Sequence, residues 1–131
     1  MKISLHSCWC TVLIVLLSSC GNQSTEASAG IINSIELKEK MERNDPLRLI
    51  DVRTPAEVAQ GALPGAINID FRSADFAEQI STLPKGEPYL VYCAKGIRSA
   101  AAIEKMKALG FTDLIDLEGG YNAWKSQFAI E

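Results

Sequence analysis

Short apolar runs alternating with amphipathic stretches constrain this chain more than any other feature. RLIDV (residues 48–52), AINI (66–69), YLVY (89–92) and DLIDL (113–117) are each four or five residues long. Runs this short, rich in Leu, Ile and Val, are the mark of strands covered on both faces of a parallel sheet. GII (30–32) adds a short edge strand. Between the runs lie SIELKEKMER, with Ser34 as its cap and Leu37 and Met41 on one face, and PAEVAQ, opened by Pro55 and ended by Gly61. SADFAEQISTL is opened by Ser73 and followed by Pro84, and YNAWKSQF closes the chain as a short helix. In SAAAIEKMKALG, Ala102, Ile103, Met106 and Leu109 share one face while Glu104, Lys105 and Lys107 point away. This alternation predicts an α/β fold: a central, mainly parallel five-stranded sheet with helices on both faces.

A length of 131 residues suits one domain with a single core, and 47% apolar against 22% charged residues is a globular balance. The net charge of −3 and the lack of a long basic run argue against a nucleic-acid partner. Lys38, Lys40 and Arg43, interleaved with Glu36, Glu39 and Glu42, read as the solvated face of a helix.

The first nineteen residues stand apart. Lys2 begins a short positive region, TVLIVLL (11–17) is an apolar centre, and small residues follow, which is the layout of a secretory signal. LSSC (17–20) is similar to the lipobox of bacterial lipoproteins, in which the peptide is cut before the cysteine and the cysteine is lipidated. The expected organisation is a signal peptide over 1–19, a lipid-bearing polar tether over 20–30 and one domain over 31–131. Cys8, Cys10 and the single histidine, His6, then leave with the signal, and with Cys20 lipidated Cys93 is the one free thiol. A disulfide, a His/Cys metal site and a histidine-dependent triad fall away together.

Cys93 follows YLVY and precedes a helix, at the carboxyl end of a strand where open parallel sheets bind ligands. A tight turn into a helix aims backbone N–H groups and a positive helix end at such a position. Both favour a thiolate and depress the pKa of the thiol. Gly96 supplies backbone freedom, Lys95 and Arg98 add positive charge, and Ser99 can cap the helix or donate a hydrogen bond. A buried strand-end cysteine is the plain alternative, but core packing does not call for Lys, Gly and Arg directly after it.

The residues CAKGIRS (93–99) resemble the active-site loop of rhodanese-like sulfurtransferases. LIDVRTPAEVAQGALPGAINI (49–69) and LEGGYNAWK (117–125) resemble two further motifs of that family, in the same order. Ala62 stands where many members carry histidine. The resemblance implies a double displacement without cofactor or metal. Cys93 takes sulfur from thiosulfate or a similar anion, the loop of Ala94, Lys95, Gly96, Ile97, Arg98 and Ser99 cradles the persulfide, and cyanide or a thiol accepts the sulfur. Lys95 and Arg98 would orient the donor, while Asp51, Arg53 and Glu57 serve as scaffold, with Arg53 alternatively meeting the substrate anion. A phosphatase is a second reading, although the tyrosine-phosphatase signature has five residues between Cys and Arg and this loop has four. A slow sulfur carrier or binding module is the third.

The implied protein is a monomer, exported and anchored through Cys20 at a periplasmic or other cell-envelope membrane. Two or more acyl chains hold a protein stably, whereas one holds it weakly. Replacing Cys20→Ser should therefore release the protein from the membrane fraction on cell fractionation, and persistence there would refute the anchor.

Overall fold

The computed structural model describes residues 28–128; the expected signal segment, Cys20 and the expected tether up to residue 27 lie outside the described residues. Five strands, β1 (Ser28–Ile32), β2 (Arg48–Asp51), β3 (Ile67–Asn68), β4 (Tyr89–Tyr92) and β5 (Asp113–Leu117), alternate with five helices. The helices are α1 (Ser34–Glu42), α2 (Pro55–Val58), α3 (Phe76–Ser81), α4 (Ile97–Ala108) and α5 (Gly120–Gln127). The sheet order is β1-β5-β4-β2-β3, and every neighbouring pair is parallel.

Side chains along the strands divide between two cores, as the two-residue period of a strand requires. Leu49, Leu90, Tyr92 and Leu117 pack on one face with Leu37 of α1 and with Tyr121 and Trp124 of α5. Ile50, Tyr89, Val91, Cys93 and Leu114 pack on the other with Phe76 and Ile80 of α3 and with Ala102, Ile103 and Met106 of α4. Helices thus cover both faces, and all four residues of β4 are buried at the centre of the sheet. Of the apolar face expected on α4, Leu109 alone is only partly covered.

Element boundaries differ from the sequence expectations for local reasons. The tether ends earlier, because Ser28, Ala29 and Gly30 already pair with Asp113, Leu114 and Ile115. Backbone groups alone make an edge ladder, so small polar residues do not prevent it. Asn33 rather than Ser34 caps α1: its side chain accepts from Ile35 N–H and Glu36 N–H, and Glu36 accepts in return from Asn33 N–H at 3.1 Å. That reciprocal pair is a capping box, and it leaves Ser34 buried inside the helix. In α3 the helix begins at Phe76, so the preceding serine lies in a turn. α4 starts at Ile97, ahead of Ser99, because Gly96 at φ 104° turns the chain directly into the helix.

Leu90 is fully buried in the central strand. Leu90→Ala should lower stability by roughly 2–5 kcal/mol through lost burial and a residual cavity, measurable as a fall in the urea midpoint with little change in slope.

Candidate active site

The parallel sheet brings β4 and β5 side by side, so the turns leaving their carboxyl ends are neighbours. Cys93 is the first residue beyond β4 and Gly120 the first residue of α5 beyond β5. The two turns are bonded: Tyr121 N–H donates to Cys93 O at 2.8 Å and Asn122 N–H to Ala94 O at 3.0 Å. These donors are orphan groups of the first turn of α5, which a helix must satisfy outside itself. Since each peptide unit is planar and trans, drawing these two carbonyls outward turns the N–H groups of Ala94 and Lys95 the other way.

A Cβ on Gly120 would lie 2.5 Å from Cys93 O and 2.7 Å from the Ala94 carbonyl carbon. Gly120 also has φ +61°, so both the close approach and the left-handed backbone exclude a side chain here.

Cys93 is a free thiol, 2% exposed. Gly96 N–H donates to its Sγ at 3.0 Å. Burial pushes the thiol pKa up, but the N–H groups of Ser99, Gly96 and Lys95 and the Ser99 hydroxyl outweigh it, so the net displacement is downward. Ser99 is fully buried and its hydroxyl donates to Gly96 O at 3.0 Å. The sulfur opens on a cavity of about 300 Å³ lined by Glu57, Cys93, Ala94, Lys95, Ile97 and Arg98. Ile97, at 80% exposure, stands at this rim and contributes no packing to the core.

Arg98 was expected to orient a donor beside Lys95; its guanidinium is instead bidentate on Glu57, at 2.8 and 2.7 Å. Glu57 also accepts from Thr54 N–H at 3.0 Å and Thr54 Oγ1 at 2.9 Å, so one carboxylate joins the start of α2 to the active loop. The Arg98 hydrogen bonds hold the Glu57 carboxyl far below the usual carboxylate range, against a smaller opposing effect of burial. Arg53 and Asp51 form a separate, buried pair with contacts of 2.6 to 3.1 Å. Arg53 also donates to Gly61 O at 2.8 Å and stacks over Tyr121 at 4.2 Å, which commits its guanidinium to the fold. Lys95 alone of the loop cations is exposed. Among the described residues, no group of three His, Cys, Asp or Glu side chains could hold a metal ion.

Asp51, Arg53 and Glu57, read together from the sequence, therefore divide between two pairs. The spacing of Thr54 and Glu57 signals the capping box, but nothing local signals that Glu57 reaches 41 residues ahead to Arg98. Asp116, hidden inside the run DLIDL, was missed altogether.

Residues 34–127 match the family model described as the rhodanese-like domain. YtwF of Bacillus subtilis is 38% identical over 96 residues, which covers 73% of this chain and 90% of the relative. The thiosulfate sulfurtransferase GlpE of Pseudomonas putida is 30% identical over 99 residues, covering 75% and 84%. The crystal structure of a rhodanese-like domain protein from Staphylococcus aureus superposes with a TM-score of 0.66 at 36% identity, covering 72% of this chain and 90% of that one.

Gly120→Ala should lower stability by at least about 1–2 kcal/mol from the left-handed backbone alone, with the steric overlap adding to it. The alkylation of Cys93 should slow as the loop loses its anchor. Wild-type thermal and alkylation behaviour in this variant would show that the two turns are not coupled.

Proposed function

Because this chain belongs to the rhodanese-like domain family, we propose that it is a sulfurtransferase working through a persulfide on Cys93. The observation that carries this reading is a buried sulfur on which Gly96 N–H donates at 3.0 Å, with the N–H groups of Lys95 and Ser99 beside it, at the head of a small cavity. Those groups stabilise a charge on sulfur without reorganising, the usual basis of covalent catalysis by a preorganised anion nest.

In the first half-reaction the Cys93 thiolate attacks the outer sulfur of thiosulfate. The S–S bond of thiosulfate breaks and its electron pair leaves with sulfite. Cys93 then carries one additional sulfur, whose negative end lies among the loop N–H groups. In the second, cyanide or a thiolate attacks that outer sulfur, the S–S bond to Cys93 breaks, and the electron pair returns to the cysteine. Lys95, exposed at the rim, draws in the anionic donor. Arg98 serves by holding the loop on Glu57 rather than by touching the donor. Four residues between Cys93 and Arg98 suit a single sulfur better than a tetrahedral phosphate, which disfavours a phosphatase. Lipid on Cys20 would keep this chemistry at an envelope membrane.

Intact-mass measurement after exposure to thiosulfate tests the reading. The reduced protein should gain one sulfur, lose it to cyanide, and gain none as Cys93→Ser, which should also abolish turnover. An unchanged mass with the thiol verified as reduced would overturn it.

A further inference from the structure

Asp116 is a half-buried titratable group near the thiol, its Oδ1 fully covered, to which the proposed reaction gives no part. It sits in β5 directly beside Val91 of β4, two residues before Cys93. Its neighbours Ile115 and Leu117 face the α1/α5 core and Leu114 faces the α4 core, so Asp116 projects toward α4, on the face that holds Val91 and Cys93. Ser99, fully buried on α4, lies on the same side of the sheet, and its hydroxyl is close enough to bear on both the Cys93 sulfur and the Asp116 carboxyl.

Ser99 has a single hydroxyl proton, and in the structure it is given to Gly96 O. Asp116 Oδ1 is buried with no partner. A buried acceptor without a donor is destabilising. The same atom is satisfied if it carries a proton and donates it to Ser99 Oγ, whose lone pairs are free.

We propose that Asp116 is a positioning acid for the nucleophile, setting through the Ser99 hydroxyl how strongly Cys93 is held as an anion. With Asp116 neutral, it donates to Ser99 Oγ, and the Ser99 proton remains available to the sulfur and to Gly96 O. With Asp116 ionised, the carboxylate claims that proton and adds a like charge on the sulfur's side of the sheet. The neutral acid therefore favours the thiolate, and the thiolate in turn favours the neutral acid. Burial pushes the Asp116 carboxyl up, against the Ser99 hydroxyl and the Leu117 N–H, in the direction this arrangement needs.

The other charges around the pair are few. Cys93 is faced by Lys95 of the loop and by Arg98 of α4, which Glu57 of α2 holds and which Asp70 also faces. Asp116 is faced by Ser99 from α4 and by Ile31 from β1, neither of them charged. The proposal deepens the sulfurtransferase reading and rests on it for its consequence, a nucleophile tuned by a second acid.

The test measures the thiol rather than sulfur transfer, so the two ideas fail separately. Alkylation of Cys93 by iodoacetamide is followed across pH in the wild type, Asp116→Asn, Ser99→Ala and the double variant. Asp116→Asn fixes the uncharged, donating form, so its profile should move to lower pH. Below the midpoint it should react about two- to threefold faster, as expected for removing one partly screened neighbouring charge. In the Ser99→Ala background the same substitution should change the rate little. An unmoved profile in folded Asp116→Asn, or an equal effect without the Ser99 hydroxyl, overturns the proposal. Should Asp116→Asn fail to fold, the carboxyl carbon of Asp116 can be titrated by NMR in the wild type and in Cys93→Ser. Its midpoint should be lower in Cys93→Ser, and identical midpoints would overturn the coupling.

Discussion

The two hydrogen bonds from the first turn of α5 to the carbonyls of Cys93 and Ala94 are the contact on which the site depends. They exist because β4 and β5 are parallel neighbours, which puts both outgoing turns at one edge of the sheet. They also require Gly119 and Gly120, both at positive φ, so that α5 can begin against the loop with no Cβ between. The consequence is electrostatic. With their carbonyls drawn outward, the loop peptides point N–H groups at the sulfur, and the twelve-residue helix α4 adds its positive end from the other side. Backbone, rather than any side-chain base, is what makes the thiol acidic. A chain whose single histidine lies in its first ten residues can therefore still hold a cysteine of lowered pKa in this domain.

Side-chain charge has a different part. Arg53 and Arg98 are both spent on carboxylates, the first tying the end of β2 to the Gly61 turn and the second tying α4 to α2. The Arg98–Glu57 pair is only partly shielded, with 18% and 34% of the two side chains exposed, so solvent screens it and its value lies more in geometry than in stability. Its pH behaviour has a definite sign. The folded-state pKa of Glu57 lies below its ordinary value, so the pair's contribution is present above that ordinary value and is lost as pH falls toward the folded one.

Strand positions were legible because a strand buried on both faces leaves an unbroken apolar run, as YLVY does. Caps were less so. Ser34 has the right chemistry for a cap, yet Asn33 takes the place because Glu36 stands three residues after it and can bond back. A serine followed three residues later by Leu37 has no such partner. The loop was readable as a row of residues but not as a set of roles. Arg98 looks free beside Lys95 in the sequence, and only the fold brings Glu57 to it across 41 residues. Asp116 was invisible for the opposite reason: inside DLIDL a carboxylate reads as the exposed side of a strand, whereas α4 covers that side here.

On the sulfur's side of the sheet stand a left-handed glycine at 96, two more at 119 and 120, and an unpartnered carboxylate oxygen at 116, while left-handed residues at 44, 61, 65 and 110 and an unpartnered Ser34 hydroxyl lie elsewhere in the fold. The glycines take backbone conformations that a side chain would strain, and a carboxylate at 116 is a costlier strand residue than an apolar one. Gly96 and Gly120 both meet Cys93 directly, the first through its N–H on the sulfur and the second by its close approach to the carbonyl. The fold tolerates them because they sit on a rigid base: β4 is fully buried, and both cores are closed before the loop begins. The sheet supplies the stability from which the loop departs, and that separation lets a domain this small keep a thiol buried, lowered in pKa and still open to a cavity.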